Sequence, residues 1–448
     1  MRLAPFNNQS VPRQGPFACI ADRVFDGRDV LDDQAVLVDG DRVSDVMPME
    51  ALPAGMPVLR EPGCTLIPGL IDIHTHFLRW EGPQFLAFGV TTIRDTGNPL
   101  DWILARRQEA PDRLWPRILC QGPLIDGPNP RHPLVSLACR DEAEAVAAVR
   151  DTAAAGVDGI KLYNRLDPAW LPAMVAATHE GGLLASMHCQ ASGMLVAAQA
   201  GVDEFFHLDG ILPDIWPDHP EGWLELWATP EFAQTEDRQR ELAAVIADHG
   251  MVTTPTLAYW DCRQQICLPG FAESAGARNL PAGLLRWHGI GRPDPSSAEQ
   301  WRRALEAALR FVGLLLDLGA PVLPGSDTPC GPLSPGISLW RELELLVSAG
   351  MSPLNALRAA TSDAAAFLRR PELGSLRAGS VADMSFVRGN PTENIPAHPE
   401  VVVVLRGGTV YDPRKLLADS LTDGALVDED EPWSRQFRAH SEPAGSVG

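Results

Sequence analysis

Two histidines at alternate positions end an apolar segment near the start of the chain. Residues 68–76 read PGLIDIHTH, which places His74 and His76 two positions apart. Because alternate residues of a strand point to the same side, both imidazoles would face one site. A pair of neutral imidazoles is a common part of a zinc site, although an exposed edge strand can show the same spacing. The continuous apolar strand before them favours the metal site.

Further side chains that can bind metals follow other short apolar segments. Each lies at or near the end of a predicted strand: Lys161, His188, His207 and Asp327. Taken singly, each has an ordinary explanation, such as a core histidine, a solvated lysine or a helix-capping aspartate. Together with the histidine pair, they end the first, fourth, fifth, sixth and eighth predicted strands. In a closed parallel barrel these strand ends share one rim, so the side chains could meet at one point.

The elements that must position these residues alternate along the middle of the chain. Eight short apolar segments bounded by turn residues are predicted as buried parallel strands: Leu66–Ile73, Val90–Arg94, Arg117–Gln121, Gly159–Leu162, Leu183–Met187, Glu204–Phe206, Met251–Thr254 and Pro321–Leu323. Helices are predicted between and after them, at Glu142–Ala155, Pro168–Glu180, Arg302–Leu318 and Leu339–Ala349. This alternation predicts an α/β fold, a (β/α)8 TIM-type barrel.

The two ends of the chain have a different pattern. Residues 17–62 contain short alternating segments separated by turns, and similar segments return at 382–411, which is typical of antiparallel β-structure. We therefore predict a small β-sandwich domain built from both ends, residues 1–67 and 372–416, and a barrel of residues 68–371. Residues 417–448 are acidic and rich in glycine and serine, so we expect a flexible tail there.

Tryptophan-rich segments lie on both sides of the seventh predicted strand. Residues 210–243 and 259–295 hold five of the twelve tryptophans: Trp216, Trp223, Trp227, Trp260 and Trp287. In a barrel these segments would be loops over the catalytic face, where substrate selectivity usually resides. The alternative is that the tryptophans only attach long loops to the barrel.

The composition excludes several classes of partner. A net charge of −21 at pH 7 repels phosphate groups, so we expect neither a nucleic acid nor a membrane as partner. The sequence has no apolar stretch long enough for a membrane span, and residues 1–15 lack the apolar centre of a secretory signal. The eight cysteines form no C-x-x-C pair, which predicts free thiols and a cytoplasmic location.

The sequence resembles the amidohydrolase superfamily, close to its imidazolonepropionase-like and prolidase-like branch. The resemblance extends from about Val24 to Tyr411. The segments that carry it are 68–76, 89–95, 156–161, the strand ends at His188 and His207, 325–327, 342–346, 359–361 and 379–383. It implies the predicted barrel and a small-molecule substrate, and we also expect a homo-oligomer.

The resemblance implies a centre of two divalent metal ions, with zinc as the first choice and manganese, cobalt, nickel or iron as alternatives. His74, His76 and Asp327 would bind one ion, and His188 and His207 would bind the other. Such ligands suit zinc, which takes imidazole nitrogen and carboxylate oxygen.

By the same resemblance, Lys161 would be carboxylated by carbon dioxide and would bridge the two ions. Apart from Lys161 the chain has a single lysine, Lys415, and its positive charge is otherwise arginine. A free ammonium would repel a cation, whereas a carbamate is an anion that nearby cations stabilise. Only an unprotonated amine can form a carbamate, which gives a reason for a lysine here. An ordinary buried lysine paired with an acid is the alternative.

The implied reaction is hydrolysis of an amide, peptide-like, carbamate or urea C–N bond. A metal lowers the pKa of its bound water from about 15.7 to about 7, which supplies hydroxide at neutral pH. Asp327 would act as general base and then as general acid toward the leaving nitrogen. Tyr259 could hydrogen-bond the carbonyl oxygen or simply pack under a loop. His132 could face the substrate, although residues 130–133 depart from the family's Gly-His-Gly pattern.

Other activities use the same kind of site. A lactonase, an organophosphate hydrolase or a deaminase stays possible, because a fold does not determine a function. A non-catalytic scaffold with a decayed site is an alternative of another class. The presence of every expected ligand argues against a scaffold.

Overall fold

The computed structural model describes residues 15–217, 226–274, 276–281, 284–285, 294–423 and 431–441, with only the backbone at 419, 421–423 and 437–441. A parallel barrel forms its centre. The barrel strands are Leu70–Thr75, Val90–Asp95, Arg117–Cys120, Leu124–Asp126, Ile160–Leu162, Ala185–His188, Glu204–Phe206 and Val252–Thr254. All pairings between neighbours among them are parallel. The predicted (β/α)8 barrel is confirmed.

Two positions of the barrel differ from the regular pattern. The third consists of two pieces, because Arg117–Cys120 pairs with the second strand and Leu124–Asp126 with the fourth. The eighth predicted strand, Pro321–Leu323, makes one isolated bridge, from Val322 to Thr253. A second bridge, from Thr328 to Thr75, closes the barrel onto its first strand.

The helices follow the strands, as the alternation predicts. The α-helices are Gly82–Ala87, Leu100–Glu109, Glu142–Ala154, Leu171–Glu180, Met194–Ala200, Leu212–Ile215, Pro230–Ala233, Glu236–Asp248, Leu257–Ile266, Pro295–Asp317, Ile337–Ser348, Pro353–Ala359, Ser362–Phe367, Pro413–Asp423 and Pro432–Ser441. Aspartates cap two of the longer ones: Asp141 accepts from the backbone of Glu144, and Asp294 from those of Ser296 and Ser297. No helix in the described part of the chain has the length and apolar character of a membrane span.

Both chain ends contribute to one eight-stranded sheet beside the barrel. Its strands are Phe17–Phe25, Val30–Asp32, Gln34–Asp39, Arg42–Pro48, Val58–Pro68, Met384–Arg388, Val401–Arg406 and Thr409–Tyr411. Antiparallel pairing of Val58–Pro68 with Met384–Arg388 joins the two ends. The predicted strand Leu66–Ile73 is therefore divided: Leu66–Pro68 belong to this sheet, and the first barrel strand begins at Leu70. A short strand, Ser136–Ala138, adds to the third barrel position.

The expected flexible tail is wrong for part of residues 417–448. Pro413–Asp423 and Pro432–Ser441 are helices, and the Trp433 side chain is only 1 % exposed. Burying a large apolar side chain contributes roughly 1.5–3 kcal/mol, which offsets part of the cost of ordering the chain around it. The acidic composition of the segment gives no sign of this buried tryptophan. Residues 424–430 and 442–448 lie outside the described part.

The tryptophans flanking the seventh strand divide between two roles. Trp227 is buried against Phe232 and Trp260, with ring centroids 4.3 and 5.2 Å away, so it attaches its segment to the barrel. Trp260 also lines the cavity at the barrel mouth. Trp223 and Trp287 lie outside the described residues.

Candidate metal centre

The first barrel strand and the segment after the eighth position meet at the C-terminal mouth of the barrel. The backbone N–H of Asp327 donates to the carbonyl of His74 at 2.8 Å, and that of His76 donates to Thr328 at 2.7 Å. Gly325 makes this approach possible, because a Cβ there would lie 2.5 Å from the Cβ of His74. The closure of the barrel thus brings the H-x-H pair to Asp327.

The backbone is strained where the site is built. Among the described residues, five that are not glycine have a positive φ, and three of these are His207, Thr256 and Asp327. A left-handed conformation is costly for such residues and persists only where the surrounding structure enforces it. Strain of this kind concentrates at functional sites.

Donor atoms from three strand ends converge on one point. Asp327 Oδ1 lies 3.2 Å from His74 Nε2 and 3.3 Å from His76 Nε2. The potential ligand atoms of His74, His207 and Asp327 all lie within 4.8 Å of one another. His74 Nε2 and Asp327 Oδ1 are buried without a well-aligned hydrogen bond. Buried polar atoms are rarely left in this state, so a bound cation fits the arrangement.

His188 and His207 form the neighbouring part of the cluster, with ring centroids 4.4 Å apart. His188 Nε2 lies 3.1 Å from an oxygen of Asp209, and His207 Nδ1 lies 2.7 Å from the Thr256 hydroxyl. Each contact holds one ring nitrogen and leaves the other as a possible ligand, as in many metal sites. Burial alone would raise the pKa of Asp209, but its contacts with His188 lower it, so Asp209 is an anion.

Lys161 lies inside the barrel mouth and is only 1 % exposed. Its Nζ stands 3.5 Å from the centroid of the Phe206 ring. Burial lowers the pKa of Lys161 to about 7, although the charges of Asp327 and Glu204 act in the opposite direction. A large fraction of this amine is therefore unprotonated near neutral pH.

The imidazoles and the aspartate have the charge states that a metal needs. Burial lowers the pKa of His74 well below its usual value and that of His207 to about 3. Burial alone would raise the pKa of Asp327, but polar contacts with His74 and His76 hold it well below its usual range. His74 and His207 thus offer neutral nitrogens with free lone pairs, and Asp327 offers an ionised carboxylate.

Below the cluster, a buried ion pair crosses the barrel interior. Arg94 Nη2 lies 2.7 Å from both carboxylate oxygens of Glu204, and Arg94 Nε donates to the carbonyl of Ile73. Glu204 also accepts from the hydroxyls of Ser186 and Thr254, at 2.6 and 2.7 Å. This network ties five barrel strands together beneath the ligands.

A cavity of about 200 Å³ opens above the ligands. Seven of the eight residues predicted from the sequence line it: His76, His132, Lys161, His188, His207, Tyr259 and Asp327. The eighth, His74, lies beside Asp327 and is fully buried. Tyr259 is in the first turn of helix Leu257–Ile266, and burial raises the pKa of its hydroxyl to about 12, so it stays protonated and can donate.

Several residues of the cavity were not predicted from the sequence. They are Arg131, Tyr163, Gln190, Asp209, Cys330 and Trp433, whereas Trp260 belongs to a segment that was expected over the catalytic face. Cys330 offers a third donor beside His76 and Asp327, and burial raises its pKa well above the usual value. The sequence weakly indicates two of these residues as part of the site, because Asp209 follows His207 by two residues and Arg131 precedes His132.

A parallel barrel with histidines, a lysine and an aspartate at its C-terminal mouth defines the class of metal-dependent barrel hydrolases. The sequence model of the amidohydrolase family matches residues 65–413, and that of the NagA composite domain matches residues 17–59. The chain therefore belongs to the amidohydrolase family, as the resemblance predicted, and is a hydrolase that acts on C–N bonds.

Solved structures share the fold. The bottromycin amidohydrolase superposes with a TM-score of 0.69 at 23 % identity, covering 94 % of this chain and 92 % of that chain. A putative prolidase from Bifidobacterium longum gives 0.66 at 24 % identity, covering 92 % and 100 %. An Xaa-Pro dipeptidase with bound methionine in its active site gives 0.66 at 20 % identity, covering 89 % and 100 %. No curated protein matches the chain.

Proposed function

We propose that the protein is a metal-dependent amidohydrolase that cleaves an amide or peptide-like C–N bond of a small substrate. The observation that carries this proposal is the convergence of buried, neutral imidazoles and one ionised carboxylate at the barrel mouth. Family membership supports the reaction class.

The donor set fits two divalent ions, with zinc as our first choice. His74, His76 and Asp327 would hold one, and His188 and His207 the other. The nitrogens available for this are those left free by the contacts of His188 with Asp209 and of His207 with Thr256. When bound, the ions would act as Lewis acids on the attacking water and the scissile carbonyl.

Carboxylated Lys161 would bridge the two ions. The low pKa of its amine supports this, because carbon dioxide reacts with the unprotonated form. Its burial beside Phe206 also protects it from solvent. The carbamate would supply the second negative charge of the ligand set, beside that of Asp327.

Asp327 is the proton carrier in this proposal. Its carboxylate is ionised, so it can accept a proton from the attacking water. It would then return that proton to the leaving nitrogen, which an amide needs because an amine anion is a poor leaving group. Tyr259 would donate a hydrogen bond to the carbonyl oxygen as negative charge develops there. His132, on the opposite loop, would contact the substrate.

Peptide-like substrates with a free carboxylate suit the cavity. Arg131 is the one arginine that lines the cavity in the described part of the chain. A guanidinium binds a carboxylate through two parallel hydrogen bonds. The small volume of the cavity favours a compound of dipeptide size over a long peptide. The prolidase and dipeptidase among the structures of similar fold are consistent with this class.

The test begins with the metal content of protein purified without chelator. We expect between one and two zinc, manganese, cobalt, nickel or iron ions per chain, and activity on N-acyl amino acids or dipeptides in a panel that includes lactones, phosphotriesters and aminopurines. Protein that binds no divalent ion would contradict the proposal. Activity confined to the other panel members would replace it with a lactonase, a phosphotriesterase or a deaminase.

A further inference from the structure

The C-terminal helix lies over the mouth of the barrel, far from where the family match ends at residue 413. Its first turn holds Trp433, whose side chain is 1 % exposed and lines the cavity of the metal centre. A residue from the last part of the chain is thus part of a site otherwise built by the barrel.

Trp433 contacts residues on two sides of the cavity. Its ring centroid lies 4.4 Å from that of His76 and 5.3 Å from that of His132. The indole N–H donates to the backbone carbonyl of Gly97. Because this hydrogen bond fixes the edge of the indole, the ring is held beside His76, where it lines the cavity.

Two anchors hold the segment on either side of Trp433. Glu431 is 1 % exposed and accepts from the backbone N–H and the Nε of Arg79, at 3.0 and 2.8 Å. Gln436 accepts from the backbone N–H of Leu134 at 3.1 Å. Arg79 follows the first barrel strand, and Leu134 belongs to the loop of His132. The segment therefore bridges two loops of the catalytic mouth.

We propose that Trp433 forms the roof of the substrate cavity and sets the size of the substrate group that fits beside His76 and His132. Ligand cavities commonly measure about 300–1,000 Å³, and the cavity here measures about 200 Å³. The indole occupies space that a larger substrate group would need. The part of this proposal that concerns substrate size rests on the proposed function. The part that concerns access to the cavity does not.

The first experiment measures substrate size selectivity. Zinc-loaded Trp433→Ala and Trp433→Phe are compared with the unchanged protein on pairs of N-acyl amino acids that differ only in acyl size. We expect the ratio of kcat/KM for the bulky over the small substrate to rise by roughly tenfold or more in the alanine variant, with a smaller rise for phenylalanine. An unchanged ratio in both variants would overturn the proposal, whatever the absolute rates.

Trp340→Phe is the matched control. Trp340 is also fully buried and also donates its indole N–H to a backbone carbonyl, that of Phe88 at 2.9 Å. It does not line the cavity. The control can lose stability, but its size selectivity is expected to stay unchanged, which separates a role at the cavity from a general packing effect.

The second experiment needs no substrate. Cys330 lines the same cavity as Trp433, whereas Cys267, which is equally half-buried, does not line it. N-ethylmaleimide labelling of the metal-loaded protein, followed by peptide mass spectrometry, gives the rate at each cysteine. We expect Trp433→Ala to raise the labelling rate of Cys330 by about tenfold, which corresponds to about 1.4 kcal/mol in the free energy of exposing the thiol. The labelling rate of Cys267 should stay unchanged. An equal Cys330 rate would show that Trp433 does not cover the cavity.

Glu431→Gln gives an independent variant, because Glu431 anchors the segment without lining the cavity. It should raise Cys330 labelling in the same direction as Trp433→Ala but less strongly, and no rise would contradict the anchoring role. Faster Cys330 labelling without any amide hydrolysis would support the roof while refuting the proposed function. Amide hydrolysis with unchanged size selectivity and unchanged Cys330 labelling would support the proposed function and refute the role of Trp433 as the roof.

Discussion

Asp327 and His74 are in contact through both backbone and side chain. The Asp327 N–H donates to the His74 carbonyl at 2.8 Å, and Asp327 Oδ1 lies 3.2 Å from His74 Nε2. His74 comes from the first strand, and Asp327 comes from the segment that closes the barrel. The same contact that completes the fold therefore assembles half of the proposed metal centre, which couples metal binding to stability.

Metal removal should lower the thermal stability. A ligand that binds only the folded chain contributes about 2.7 kcal/mol when its free concentration is 100 times its Kd. We expect dialysis against a chelator to lower Tm in calorimetry, and added zinc to restore it. His74→Ala serves as the control, because it should show a smaller response to either treatment. An identical Tm with and without chelator would show that metal binding at the cluster does not stabilise the fold.

Asp327→Asn should abolish most of the activity while keeping the fold. The amide has nearly the shape of the carboxylate but cannot accept the proton, and positioned proton transfer contributes roughly a hundred- to ten-thousand-fold. Steady-state rates at saturating zinc measure the loss. Asp261→Asn is the control, since Asp261 is a buried aspartate paired with Arg341 at 2.9 Å, outside the cluster. Near-normal rates for Asp327→Asn would assign the proton transfer to another group.

The barrel and the donor residues were predictable because their signals are local. A continuous apolar run that ends in His74-Thr75-His76 shows both the strand and its ligands within a few residues. Trp433 and the Arg94–Glu204 pair carry no such signal. Their roles depend on contacts between distant segments, and in Trp433 one apolar side chain outweighs an acidic, polar neighbourhood. The division of Leu66–Ile73 between two sheets also depends on tertiary pairing.

Lys161 should form its carbamate only when pH is high enough to deprotonate the amine. Burial lowers the pKa of Lys161 to about 7, so the reactive neutral form increases as pH rises through about 7 and is lost below it. We expect a carbamate signal in carbon-13 NMR after adding labelled bicarbonate and zinc at pH 8, and a weak one at pH 6. Lys161→Ala should lose both this signal and bound metal, with short carboxylates restoring part of the metal. A signal of equal strength in the variant would show that another amine, such as Lys415 or an α-amine, carries the carbamate.

Glu204→Gln should lower the stability of the barrel, because Glu204 supports the proposed ligands without being one of them. It leaves Arg94 buried with its charge unpaired, and breaking a buried pair in this way costs about 3–5 kcal/mol. The free energy of unfolding in urea measures the cost. Glu180→Gln is the control, because the Glu180–Arg150 pair is exposed and should contribute little. Equal stability of the two variants would show that the buried pair does not hold the strands together.

Arg131→Met should lower the activity on substrates with a free carboxylate and leave the activity on other substrates nearly unchanged. Methionine keeps much of the apolar length of the side chain but removes the cation that faces the cavity. Hydrogen bonds to charged groups contribute about 1.5–3 kcal/mol, and 1.4 kcal/mol corresponds to a tenfold change. We therefore expect kcat/KM for an N-acyl amino acid to fall by about tenfold or more, while the same compound with its carboxylate capped as an amide changes little. Exposed Arg150→Met, matched in chemistry, should affect neither substrate. An equal loss on both compounds would mean that Arg131 supports the loop of His132 and does not select for the carboxylate.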